Sequence, residues 1–198
     1  MMMNLKSLLS ISLILVAFGA FSQYKGIEIE EVDNGGLVPG KTYRVYITLA
    51  NDSDQVFIAF GDSIHPLDIH SSKPFYQSNQ GGLTTKNISR KLTKENADVK
   101  FDSWITIGAE DNYSNNTEVL NIGESFEKSG AALTTKDGAW FCLPESPSAY
   151  AGSDKKVLLM QLTTAGSVDG IFSIMGRTVE GKNFQEHNIK FAIPAAKK

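Results

Sequence analysis

Asp62, His65, Asp68 and His70 put two imidazoles and two carboxylates into one short stretch of the chain. Imidazole nitrogen and carboxylate oxygen are ligands that zinc and copper accept. A strand starting at Pro66 would turn Asp68 and His70 to one face and Leu67 and Ile69 to the other. The spacing matches no established metal signature, and histidine beside aspartate is also ordinary surface chemistry. His187 lies on a late strand and joins this group only if the fold carries it there.

Calcium is the better-supported cation in the sequence. Asp52 and Asp54 stand in the loop Asn51-Asp52-Ser53-Asp54, and Glu110, Asp111 and Glu118 flank Asn112, Asn115 and Asn116. Such loops offer the side-chain and backbone oxygens that calcium requires. Neither has EF-hand spacing, and Asp and Asn are equally the residues of plain turns, where their side chains bond the local backbone. No cofactor is expected beyond calcium as an option.

Signs of catalysis are sparse. Glu28 and Glu30 share a strand face, the minimum for hydrolysis of a glycosidic bond by paired carboxylates. Adjacent acids on an outer face are more often solubility features. No Gly-x-Ser-x-Gly elbow, glycine-rich phosphate loop or HExxH helix occurs. Cys142 is the only cysteine, so no intramolecular disulfide can form, and its apolar setting Trp140-Phe141-Cys142-Leu143 reads as core. Aromatic rings point to binding instead. Trp104 and Trp140 fall in expected strands and read as core, whereas Tyr113 and Tyr150 fall in polar loops, where exposed rings can stack on a ligand.

The elements that must position these groups are short strands. Lys41 to Ala50 alternates cleanly: Tyr43, Val45, Ile47 and Leu49 on one side, and Arg44, Tyr46 and Thr48 on the other. A polar loop then leads to Gln55 to Phe60, which predicts a hairpin. Further strands are expected around Ile27, and at Pro66–His70, Phe101–Gly108, Glu118–Ile122, Ala139–Leu143, Lys156–Thr164, Gly170–Val179 and His187–Ile193. Lys156 to Leu162 is apolar on both alternations and reads as a central strand, with Ile171 to Thr178 as its hairpin partner across a glycine-rich turn. Lys86 to Asp98 is polar and fits one short surface helix. The expected architecture is all-β, a two-sheet antiparallel β-sandwich of about nine strands with that helix. A small barrel is the alternative.

The start of the chain supplies an address. Met1 to Lys6 carries one positive charge, Leu8 to Phe18 is apolar but short, and Ala20-Phe21-Ser22 is a small-x-small exit. This is the pattern of a cleaved export signal, with the cut expected after Ser22 and residues 23–198 as a single domain. After cleavage no transmembrane segment is expected. A net charge of −3 with scattered lysines argues against a nucleic-acid partner, which needs a clustered basic face.

Three phrases carry a family likeness: Phe101 to Glu110 (FDSWITIGAE), Gly138-Ala139-Trp140-Phe141, and Ala151-Gly152-Ser153-Asp154 running to Thr164. Thr42 to Tyr46 and the Phe60-Gly61-Asp62 turn add to it. Together they resemble an uncharacterised exported β-sandwich domain in secreted proteins of marine and environmental bacteria, especially Bacteroidota. The resemblance covers most of the chain and brings no activity and no catalytic residue. Some members carry a C-terminal sorting module; none is read after the last expected strand, so periplasm and cell exterior are both expected addresses. The expected function is a non-catalytic binding or structural module of the bacterial envelope, with a glycan or envelope protein as partner. A carbohydrate-active enzyme and a calcium-stabilised adhesion module are the alternatives.

Overall fold

The computed structural model describes residues 23–195; the expected export signal at residues 1–22 lies outside them. Among the described residues, eleven strands form two antiparallel sheets, joined by loops that hold two short α-helices and three 3-10 turns. The first sheet has four strands in the order β1 (Tyr24–Val32), β2 (Lys41–Leu49), β9 (Lys156–Thr164) and β5 (Trp104–Ile105). The second runs β6 (Glu118–Leu120), β8 (Gly138–Phe141), β3 (Gln55–Gly61), β10 (Val168–Arg177), β4 (Leu67–Ser71) and β7 (Leu133–Thr135). Its seventh strand, β11 (Asn183–Ile193), pairs with the other edge of β10. The β-sandwich expectation therefore holds.

The core lies between the sheets, and alternation explains which residues enter it. Tyr43, Val45, Ile47 and Leu49 of β2 face Val56, Ala59, Phe172 and Ile174 of the second sheet within one buried cluster. Strand β9 is interior, as its sequence predicts, and carries a bulge. Val45 pairs with Met160 and Tyr46 with Leu158, leaving Leu159 as the extra residue. The bulge lets Leu159 and Met160 both enter the core, while Leu158 points to the outer face.

Both expected hairpins are corrected. Strand β2 pairs with β1 and β9, and β3 with β8 and β10, so neither has an edge free for the other. The loop after Leu49 instead crosses between sheets. Buried Asp54 fixes that crossing: its carboxylate accepts from the Asn51 N–H at 2.9 Å and from the distant Val179 N–H at 2.9 Å. Likewise β9 and β10 belong to different sheets. A polar loop of this length serves a hairpin and a sheet-to-sheet arch equally well, and the deciding contact with Val179 is nonlocal.

Other boundaries shift as well. The expected Phe101–Gly108 strand shrinks to Trp104–Ile105, because Ala97–Phe101 winds into a 3-10 helix. Within Lys86–Asp98 the helix α1 spans only Arg90–Glu95, capped by the Ser89 hydroxyl, which accepts from the Leu92 N–H at 3.0 Å. A second helix, α2 (Ser125–Ser129), and strand β7 were not expected from the sequence. No helix among the described residues is long and apolar enough to cross a membrane.

Candidate functional site

The outer face of the four-stranded sheet carries the outward alternation of β1, β2 and β9: Glu28, Glu30, Arg44, Tyr46, Thr48, Lys156 and Leu158. Half of it is roofed. Residues 85–101 lie across it and pack Ile88, Val99 and Leu92 against Tyr46, Trp104 and Leu158, a second apolar cluster separate from the main core. Asp102 pins this roof. Its two oxygens accept from the Ser78 N–H at 2.7 Å and the Gly82 N–H at 3.0 Å. A Cβ at Gly81 would stand 1.8 Å from that carboxylate, so only glycine fits the approach. Burial pushes the Asp102 carboxyl up to about 6, against the pull of those N–H donors.

Beside the roof the face stays open as a groove of about 500 Å³. Its floor is Arg44, Tyr46 and Lys156, and its walls include Glu30, Glu110 and Tyr150. Gly108, at φ +70, lets the loop after β5 meet the Tyr150 loop: a Cβ there would lie 1.7 Å from the Ser148 carbonyl oxygen. A smaller hollow of about 280 Å³ continues past Arg44 and Glu110 toward α1. That size suits a small ligand or a segment of a longer one.

Polar groups in the groove hold one another. The Arg44 guanidinium donates to Glu110 at 3.0 Å and to Gln161 at 3.2 Å. The Tyr46 hydroxyl donates to Glu30 at 3.1 Å, and burial pushes its pKa up. Lys156 donates to Glu28 at 2.6 Å while its ammonium sits 4.4 Å from the centre of the Tyr46 ring. The groove thus holds two ion pairs and a tyrosine hydroxyl bonded to Glu30, with the Tyr150 ring at its wall.

The sequence candidates fall as follows. Tyr113 is 76% exposed and Tyr150 38%, and only Tyr150 lines the groove. Both tryptophans are buried, Trp104 in the cluster under the roof and Trp140 in the main core, where its indole N–H donates to the Thr106 carbonyl at 2.9 Å. Cys142 is buried, and that burial raises its thiol pKa. Of the calcium candidates, Glu110 holds Arg44, Asp111 holds Arg90 at 3.0 Å and Glu118 holds Lys86 at 2.6 Å. Asp54 is turned to backbone donors, and exposed Asp52 accepts from the Ser53 hydroxyl at 2.9 Å. Arg44, Tyr46 and Lys156 were not singled out by sequence reading as site residues. The outward alternation of β2 was the available signal, and the charge complementarity across strands was not.

Among the described residues, one set of three acidic, histidine or cysteine side chains gathers ligand atoms within 4.8 Å of one another: Asp62, His65 and His187. It lies on the other sheet. Asp68 and His70 do not join it; they pair with each other at 3.1 Å on β4. The Asp62 carboxyl accepts from the His65 N–H at 2.7 Å and the Ile64 N–H at 2.8 Å, and the His65 N–H is the main cause holding its pKa below the usual carboxylate value. Comparison with protein-family models, with curated proteins and with solved structures finds no match for this chain, so the site is read from its own geometry.

Proposed function

We propose that this chain is an exported, non-catalytic binding module of the bacterial envelope whose groove takes a neutral, hydroxyl-rich ligand, an oligosaccharide segment above all. The observation that carries this reading is the groove lining. Arg44 is held by Glu110, Lys156 by Glu28 and Glu30 by the Tyr46 hydroxyl, so among the described residues the groove keeps no unpaired cation for an anionic ligand. They nonetheless present fixed donors and acceptors beside the Tyr150 ring, the combination that orients a sugar: polar groups in plane, an aromatic face against C–H. The export address rests on the charged, apolar and small-residue pattern of residues 1–22.

Retardation of the chain in native gels containing soluble neutral polysaccharides tests the reading. At least one polysaccharide should slow the wild-type chain, and Tyr150→Ala should lose most of the retardation while melting at the same temperature. An unretarded wild type, or a Tyr150→Ala variant retarded equally, would remove the groove as the binding face. Glu30 and Glu110 both line the groove, which is the one observation favouring a paired-carboxylate hydrolase. Release of reducing ends from a retarding polysaccharide would decide for that enzyme.

A further inference from the structure

Strands β3 and β4 lie end to end along one edge of β10. Phe60 pairs with Ser173, and Asp68 with Ile171, so only Phe172 lies between them on β10 while residues 62–66 loop out of the strands. Asp62 shapes the excursion. It takes the Ile64 and His65 N–H groups on one oxygen, and its own N–H donates to the His65 carbonyl at 3.0 Å. On the opposite edge of β10 the pairing is irregular at the same level. Phe172 pairs with Ile189 and Ile174 with Glu186, so His187 and Asn188 together face Ser173, with Asn188 at φ +55. Bulges re-aim side chains. Here two irregularities, from distant parts of the chain, aim His65 and His187 at one another with rings stacked at 4.2 Å.

We infer that Asp62, His65 and His187 form a binding site for a divalent transition-metal ion of the zinc class, with a coordination position open to solvent. The donor set of two imidazoles and one carboxylate is the kind such ions take, with hard-cation binders excluded by the nitrogen ligands. Asp62 Oδ2 and His65 Nδ1 stand 3.3 Å apart, the separation of two ligands about 2.0 to 2.2 Å from a tetrahedral ion. A ligand atom of His187 lies within 4.8 Å of both, so a small ring movement completes the set. The fully buried Ser173 hydroxyl sits 3.3 Å from His187 Nδ1, which leaves Nε2 to face the ion. A metal-bound histidine is held by its second nitrogen in this way. Phe60 packs edge-on against the same ring at 5.7 Å and limits its swing. In a chain without a disulfide, the ion would tie the looped-out segment to β11.

Equilibrium dialysis of the chain against zinc chloride, purified without a polyhistidine tag, tests this. One zinc per chain is expected, with a higher unfolding temperature than in chelator. His65→Ala and His187→Ala should each weaken zinc binding by about tenfold or more, and Ser173→Ala by about tenfold through the ring it holds. His70→Ala should leave it unchanged. Circular dichroism shows whether His187→Ala folds; if it does not, His65→Ala in the exposed turn decides. No zinc retained by the wild type, equal retention by wild type and His65→Ala, or a loss in His70→Ala as large as in His65→Ala, would each overturn the site.

Discussion

The two outer faces of the sandwich are finished in opposite ways. On the four-stranded sheet a polar segment folds back as a roof, buries Ile88, Val99 and Trp104, and must then satisfy Asp102 and Gln161 beneath it. On the seven-stranded sheet the row Phe60, Ser173 and His187 meets only a short turn carrying Asp62 and His65. The roofed face gains a second apolar cluster and a shaped groove at the roof's margin. The barely covered face keeps titratable rings partly exposed and near one another. Burial builds shape on one side, and irregular pairing gathers ligands on the other.

The largest expected effect separates the core from the roof. Leu159→Ala removes the bulge residue from the main core and should cost about 2–5 kcal/mol, measured by denaturant unfolding. Leu158→Ala empties part of the smaller cluster, whose surface neighbour Leu92 can settle inward, and should cost less, at about 2 kcal/mol. A Leu158→Ala cost exceeding that of Leu159→Ala would make the roof, rather than the core, the principal source of stability.

A smaller effect is confined to the roof. The Asp102 carboxyl is raised to about 6 in the folded chain, so the folded state holds its proton more tightly than the unfolded state does. Its contribution is therefore greatest in acid and is lost as pH rises from about 4 to about 6. Relative to Asp102→Asn, which does not ionise, wild-type stability should fall by about 2–3 kcal/mol between pH 4 and pH 7. The replacement also mismatches one backbone donor, so only the slope of the difference is diagnostic. A flat difference would place the Asp102 carboxylate in a better-solvated setting than its burial implies.

What the sequence could show follows the range of each interaction. The inward set of β2 and the doubly apolar β9 were legible because strand alternation is local, and the two-sheet architecture followed from them. Neither sheet-to-sheet crossing was, since Asp54 reaches Val179 from far along the chain. Strand β7 and helix α2 are too short for periodicity to register. The metal cluster was half legible: Asp62 and His65 are near neighbours, but His187 enters only through the pairing of β11 with β10. Asp68 and His70 looked equivalent in sequence and lie beyond the looped-out turn, back in regular strand. The groove was least legible, because Arg44, Tyr46 and Lys156 acquire their arrangement from three strands brought side by side.

Backbone amide NMR, with zinc and a retarding neutral polysaccharide titrated in turn, tests the division of labour between the faces most directly. Polysaccharide should shift the amides of Arg44, Tyr46, Glu110, Tyr150 and Lys156 and leave those around His187 in place. Zinc should shift Gly61 to His65, Ser173 and His187 and leave the groove unmoved. Polysaccharide shifts gathered at His187, or zinc shifts gathered along Glu110 to Glu118, would contradict the account.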